Sequence, residues 1–440
     1  MGNLLTTGYS IINTIWVGNL LGRDAVGAVA VSFPIFLALI ALCSGSTMAT
    51  SILVAKAYGA RETDEIQRIV NNSWAVGLAL IALILAAGLT FSDTLLGLLG
   101  TPDEIMPLAS EYLRITVVSF VSIYLCNLIA AVLRGIGNTV VPLMFIVLST
   151  ILNAILDPLL IIGLGPLPRL GLNGAAYASL IASGTATILG IIYVKRKYAM
   201  QPVNPSALSL ERVMVLNIIK IGLPSFVQQM LLSLGYAVIT SFVNGFGASA
   251  TAAFGVTSRI DSIAAMPAVA MMMAVSAITA QNLGAGKRER IREILKWGIL
   301  INLPVLAVVS ALSFFFPTGL MTIFVKDDSV IRIGAEYLRI VGPGYLAFTV
   351  FYITNGIISG AGKTISTMIF SFVSLCLVRI PLAAVLSDTG LGLKGIWIAI
   401  VCSFAVTTAV SLAYYFSGRW NSRKTEGEYV PKLESGEAAC

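Results

Sequence analysis

The sequence predicts an all-α membrane protein, with twelve transmembrane helices arranged as two parallel six-helix repeats. Two observations carry that prediction. The first is composition: 57% of the 440 residues are hydrophobic, 11% are charged and the mean hydropathy is +0.91, far outside the range of ordinary soluble domains. The second is internal repetition at a single offset of 225 residues. Glu111-Tyr112-Leu113-Arg114-Ile115 recurs as Glu336-Tyr337-Leu338-Arg339-Ile340. Gly135, Gly137 and Thr139 recur as Gly360, Gly362 and Thr364, and Ala55 with Gly59-Ala60 recurs as Ala280 with Gly284-Ala285. A duplicated apolar bundle of this size is the pattern of a secondary transporter, in which the substrate path runs between the halves.

A spanning helix needs roughly 20 predominantly apolar residues. Segments of that kind run over 2–20, 25–57, 68–97, 107–132, 139–164 and 171–195, then over 217–245, 250–283, 292–323, 332–358, 364–387 and 392–418. Several exceed the minimum span, so tilt, kinks or extension past the bilayer are expected. The predicted organisation is an N-lobe over 1–198, a cytoplasmic linker over 199–216 with Pro202 and Pro205, a C-lobe over 217–418 and a charged cytoplasmic tail over 419–440. Gly8-Tyr9 answers Gly235-Tyr236, but the seventh segment continues upstream through Leu223-Pro224 to about Asn217. The first helix lacks that stretch, so it is expected to be short and to start inside the membrane, or else the chain begins late. With no basic n-region and no small-residue cleavage site, the apolar start does not read as a signal peptide.

The net charge of +7 is distributed by side of the membrane rather than gathered into a patch for nucleic acid. Lys56, Arg61, Arg68, Arg134, Lys195, Arg196, Lys197, Lys287, Arg288, Arg290, Lys363, Arg419, Arg423 and Lys424 fall on one side. Only Arg23, Arg169, Lys326, Arg332 and Lys394 fall on the other. By the positive-inside rule both termini are cytoplasmic in a multi-pass protein of the inner membrane, and the two halves have the same orientation. Histidine is absent, which excludes a His-based metal site or proton relay. The five cysteines are scattered without metal or disulfide spacing and read as small hydrophobes.

Ionisable groups inside a membrane are costly, so each is a functional candidate. Asp157 lies in Leu152-Asn153-Ala154-Ile155-Leu156-Asp157-Pro158, where Asn153 and Asp157 share a helix face at i,i+4. Helix rise puts Asp157 about 10 Å deep, with Asn13 of the first segment and Ser179 of the sixth at a similar level. Four oxygen-bearing side chains at one depth suit a hard cation such as Na⁺ or a protonatable carboxylate. Asn13 and Ser179 taken alone read as interhelical hydrogen-bonding groups. In the second half, Arg259 and Asp261 on the eighth segment and Arg379 on the eleventh sit near mid-depth. Because i,i+2 residues do not face each other, an Asp261–Arg379 pair is expected, either as a structural ion pair or in the substrate path. Met271, within Met266-Pro267-Ala268-Val269-Ala270-Met271-Met272-Met273, suits adaptable apolar binding or simple gap filling. Pro34, Pro158, Pro267 and Pro381 inside apolar segments mark kinks or hinges.

Gly360-Ala361-Gly362-Lys363-Thr364 imitates the end of a phosphate-binding loop, but Ile357 stands where glycine is required and no strand precedes it. It reads as a cytoplasmic helix turn, and the Glu111/Arg114 and Glu336/Arg339 pairs as stabilisers of helix ends. With no nucleotide motif and no extramembrane domain, a soluble enzyme is excluded.

In Asn13-Thr14-Ile15-Trp16-Val17-Gly18, Arg134-Gly135-Ile136-Gly137-Asn138-Thr139, Asn153 with Asp157-Pro158, Gly174-Ala175-Ala176 with Ser179, Arg259-Ile260-Asp261, Gln281 to Gly286 and Arg379-Ile380-Pro381, the chain resembles the multidrug and toxic compound extrusion (MATE) transporters, DinF-like or a related bacterial branch. The resemblance implies two six-helix lobes forming a V. It also implies export of amphipathic, often cationic organic compounds in exchange for Na⁺ or H⁺, with no other cofactor. It implies an N-lobe ion site in which Asn153, Asp157 and Ser179 match and Asn13 replaces the Asp expected on the first helix. An amide there can coordinate Na⁺ but cannot titrate, so Asp157 carries most of the coupling. One chain with two lobes forms the path alone, so a monomer in the lipid bilayer is expected. The alternatives are a lipid-linked oligosaccharide flippase of the same superfamily, and a membrane protein that has lost coupling.

Overall fold

The computed structural model describes residues 21, 23–163, 169–198 and 210–421, and within them eleven helices are long and apolar enough to cross a bilayer. The segment expected over 2–20 lies outside the described residues. The described residues form two compact units that divide between Ile219 and Lys220, with the turn Gly59–Arg61 grouped with the second.

The first unit holds α1 (Arg23–Gly59), α2 (Thr63–Leu98), α3 (Met106–Gly135), α4 (Val140–Ile162) and α5 (Leu172–Tyr198). Helix α5 packs on both α3 and α4, and α2 packs on α3. The second unit takes most of α6 (Arg212–Asn244), whose residues up to Ile219 group with the first, and then α7 (Ala248–Gly284), α8 (Ile291–Phe315), the short α9 (Pro317–Thr322), α10 (Asp328–Val341), α11 (Tyr345–Gly360), α12 (Thr364–Phe372), α13 (Ile380–Ser387) and α14 (Leu393–Phe416). Here α7 and α11 form the main contact, with α10 also on α7 and α14 on α11 and α13.

Helices dominate because hydrocarbon offers no water for backbone groups, and a helix satisfies its own. The hydroxyls inside these helices follow the same rule by donating to the carbonyl four residues back. Ser32 donates to Ala28 at 2.8 Å, Thr47 to Cys43 at 2.8 Å and Thr187 to Ser183 at 2.8 Å. With lipid as apolar as the helices, close packing rather than hydrophobic transfer holds the bundle together. Gly135 lets α3 approach α1 until a Cβ there would lie 2.9 Å from the carbonyl of Ser51. Gly360 lets α11 approach α7 until a Cβ would lie 2.4 Å from the carbonyl of Ser276. Both members of the second contact stand 225 residues after those of the first, so the repeat seen in sequence is a repeat of packing.

The turn after each of these helices repeats as well. Gly137 and Gly362 take φ of +92° and +82°. Gly137 N–H donates to Arg134 at 3.0 Å and Asn138 N–H to Leu133 at 2.8 Å. Gly362 and Lys363 make the equivalent bonds to Ser359 and Ile358 at 2.8 and 3.1 Å. The glycine-lysine-threonine stretch is therefore a helix stop and not a phosphate cradle.

Three apolar segments read as continuous are subdivided. The ninth breaks at Phe316, where Pro317 restarts a single short helix, and the tenth passes through a 3₁₀ turn over Gly342–Gly344 around Pro343. The eleventh contains a π-helical stretch over Val373–Arg379, immediately before Pro381. Proline has no N–H and its ring crowds the carbonyl four residues earlier, here Leu377, which the wider turn accommodates. Helix α6 starts at Arg212, inside the stretch assigned to the linker. The chain just before it is anchored: Glu211 N–H donates to Asn72 Oδ1 at 2.8 Å, and Arg68 Nη2 lies 2.6 Å from the Glu211 carboxylate.

Candidate functional site

In the first unit the polar residues converge where α4 meets α5. Gly174 permits this approach, since a Cβ there would stand 2.6 Å from the carbonyl group of Leu160. Asp157 on α4 is completely buried and Asn153, one turn earlier, is nearly so. Asn153 Nδ2 donates to Ser179 Oγ on α5 at 3.1 Å. Tyr112 on α3 lies within electrostatic range of Asp157. The structure therefore brings together Asp157, Asn153 and Ser179; Asn13 lies outside the described residues. A carboxylate, an amide and a hydroxyl form an all-oxygen donor set of the kind that hard cations and protons require. Among the described residues no group of three His, Cys, Asp or Glu side chains gathers in the manner of a metal centre.

The second unit holds a partly open cavity of about 190 Å³ lined by both Asp261 and Arg379. Helix α7 supplies Asp261, whose carboxylate accepts hydrogen bonds from the hydroxyls of Tyr337 on α10 and Tyr345 on α11. Tyr337 packs edge-on to Trp397 with ring centres 4.8 Å apart, and Phe254 stacks on Trp397 at 5.8 Å. Arg379 ends the π-helical stretch, which also contributes Ser374 and Leu375 to the cavity wall. Its Nε donates to Ser403 Oγ on α14 at 2.8 Å, and its guanidinium lies 4.9 Å above the Phe404 ring.

The expected Asp261–Arg379 ion pair is replaced by a shared cavity in which each charge has its own partners; among the described residues no ion pair joins them. The reason is geometric. Two phenols occupy the carboxylate, and Ser403 and Phe404 hold the guanidinium. Arg259 is exposed on another face of α7 and does not line the cavity, nor does Met271, which packs against the cluster of Val275, Ile353 and Ile357. Sequence reasoning missed Tyr337 and Tyr345, although Tyr337 sits inside the repeated Glu336–Ile340 block.

The repeat also shows what the second unit changed. At the 225-residue offset, Asp261 and Tyr345 correspond to Phe36 and Phe120, whose rings meet edge-to-face at 6.3 Å in the first unit. Tyr337 corresponds to Tyr112. One unit thus keeps its carboxylate on α4 beside α5, and the other replaces an aromatic pair with a carboxylate–phenol contact facing an arginine.

Comparison with known proteins is consistent across sequence and structure. The MatE family model matches residues 1–159 and 224–385. The chain is 31% identical over 427 residues to the probable multidrug resistance protein YpnP of Bacillus subtilis (strain 168), covering 96% of this chain and 94% of that protein. It is 30% identical over 419 residues to the probable multidrug resistance protein YoeA of the same organism, covering 94% and 90%. A solved structure described as the outward-facing conformation of a multidrug resistance MATE family transporter of the MOP superfamily matches with a TM-score of 0.88 at 26% identity, over 96% of this chain and 94% of that one.

Proposed function

The chain belongs to the MatE family of multi-pass membrane transporters, and from that premise we propose that it exports amphipathic organic compounds, cationic ones among them, in exchange for Na⁺ or H⁺, with Asp157 as the coupling carboxylate. The observation that carries this reading is the completely buried Asp157 of α4, one turn from the Asn153–Ser179 hydrogen bond. A charge in that position is expensive to maintain in hydrocarbon without a function.

The coupling works through charge. A proton or Na⁺ at Asp157 neutralises the buried carboxylate and removes its desolvation cost. An ion shifts a conformational equilibrium only by its differential affinity for the two states. The state that leaves Asp157 better hydrated therefore tolerates the bare carboxylate, and the drier state is favoured by ion binding. Asn153 and Ser179 supply neutral oxygens that complete the shell for Na⁺ or orient the carboxyl group for H⁺. Asn13, in the position where the resemblance expects an acid, offers an amide oxygen and no second titrating group. In this reading the protein works as a monomer in the cytoplasmic membrane with both termini inside, as the basic residues on one side of the membrane support.

The test is efflux of a fluorescent cationic dye in everted vesicles with Na⁺ and H⁺ gradients imposed separately. Wild type should transport under at least one gradient, which names the ion, and Asp157→Asn should lose gradient-driven transport. Uphill export that survives in Asp157→Asn overturns the assignment of Asp157. No transport under either gradient turns the reading toward another cargo, such as lipid-linked sugars.

A further inference from the structure

We propose that the cavity of the second unit binds a small aromatic carboxylate of a single ring, with Arg379 gripping the carboxylate and the aromatic walls taking the ring. This goes beyond the ion-coupling reading and does not rest on it, because every residue involved lies in the other unit.

Size comes first. A cavity on the order of 150 Å³ lined by apolar side chains accepts benzene. At about 190 Å³, this one has room for a ring and one small charged substituent. The walls are suited to a ring: Phe254, Phe348, Phe351, Tyr352 and Phe404 all face the space. Aromatic faces and edges pair with a bound ring in stacked or edge-on arrangements.

Charge decides which substituent. Asp261 already accepts from Tyr337 and Tyr345, one hydroxyl on each of its oxygens. Arg379 is in the opposite condition. Nε is taken by Ser403, and Phe404 lies under the guanidinium plane. Among the described residues no acceptor lies within hydrogen-bonding distance of either Nη. Both amino groups are therefore available to a ligand in the cavity that Arg379 lines. The guanidinium's planar edge matches a carboxylate through two parallel hydrogen bonds, a fit that no neutral group and no cation can reproduce. The bond to Ser403 and the ring of Phe404 hold that edge in orientation, so little side-chain freedom is lost when the ligand binds.

The backbone is arranged to the same end. The π-helical turn over Val373–Arg379 places Ser374 and Arg379, five residues apart, on one wall of the cavity. Closure of i→i+5 hydrogen-bonded rings makes this possible, and such insertions occur frequently at functional sites. In the first unit α4 is an uninterrupted α-helix over the corresponding region, and its aromatic pair Phe36–Phe120 stands where Asp261 and Tyr345 stand here.

The experiment titrates the purified full-length chain in detergent with benzoate, benzamide and benzylamine. Binding is followed by calorimetry and by quenching of Trp397, whose indole stacks on the cavity residue Phe254. Benzoate should bind saturably. Benzamide, equal in shape but uncharged, and benzylamine should each bind at least about tenfold more weakly. Arg379→Gln should weaken benzoate by at least about tenfold, whereas Arg259→Gln, which removes an exposed positive charge from α7 outside the cavity, should bind it as wild type does. Equal affinity for benzoate and benzamide, or no saturable benzoate binding at millimolar concentrations, overturns the proposal with no variant needed. A folded Arg379→Gln protein that binds benzoate as well as wild type overturns it too. Dye efflux reads Asp157 and benzoate binding reads Arg379, so failure of either reading leaves the other standing.

Discussion

Arg61 adopts φ of +62°, a left-handed backbone conformation, and is the sole non-glycine residue with positive φ among the described residues. At the 225-residue offset its counterpart is Gly286, with φ of +71°. The same turn after a membrane helix is therefore made with glycine in one repeat and with arginine in the other. A side chain in that region costs about 1–2 kcal/mol, partly offset because glycine loses more chain entropy on folding. Arg61→Gly should accordingly stabilise the protein by about 0.5–1 kcal/mol, read as a higher unfolding temperature in detergent, while Arg61→Ala should give no comparable gain. A gain shared by both variants would assign the effect to charge removal instead. At this scale the chemistry was partly legible in the sequence. Asp157, Asn153 and Ser179 could be picked out because polar oxygens are scarce in apolar segments. Tyr337 and Tyr345 could not, because a tyrosine buried with its hydroxyl bonded looks in sequence like any amphipathic aromatic.

The second unit carries breaks inside its apolar stretches, and hydropathy does not reveal them, because residues remain apolar on both sides of Phe316, Pro343 and the π-helical turn. What distinguishes these places is a shift in backbone hydrogen bonding, of which the prolines are the only trace in sequence. Where an element begins outside the membrane, the signal is plainer. Asp327 precedes α10, and its carboxylate accepts from Ser329 N–H at 2.9 Å and Val330 N–H at 3.1 Å, as an N-cap should. The hydroxyl of Ser329 and these two amides hold the Asp327 carboxyl below its ordinary pKa. With a depressed folded-state pKa, the cap's contribution is fully present above the unfolded value of about 3.9 and is lost as pH falls through the folded one. Asp327→Ala should therefore unfold at lower temperature than wild type at neutral pH, and the gap should close at pH values below about 4. Asp327→Asn keeps an acceptor at every pH, so it should lose least on acidification. A gap between wild type and Asp327→Ala that persists unchanged into acid would show that the charge on the cap contributes nothing to α10.

For the whole molecule, the duplication was the most legible property, because each repeat had to preserve the same packing: the Gly135–Ser51 and Gly360–Ser276 approaches leave small residues at fixed spacing in both copies. The divergence between the copies was less legible. Replacement of Phe36 and Phe120 by Asp261 and Tyr345 is visible only once the offset is applied to pairs that meet in space. Orientation rests on a different property, the count of basic residues in alternate connections, and it makes its own prediction. Lys287, in the turn after α7, and Lys326, before α10, are both exposed and fall on opposite sides of the charge asymmetry. The native cysteines can be replaced by alanine, since Cys43 is buried and Cys126, Cys376 and Cys402 are half-buried without disulfides; Cys440 is removed in the same way. In that background, a membrane-impermeant maleimide added to intact cells should label Lys326→Cys and not Lys287→Cys. Permeabilised cells should label both. Retention of lysine and arginine in cytoplasmic loops sets this arrangement, since basic residues cross the bilayer less readily than the apolar segments insert. The reverse labelling pattern would place α7's C-terminal turn outside and invert the direction in which an ion entering at Asp157 drives export.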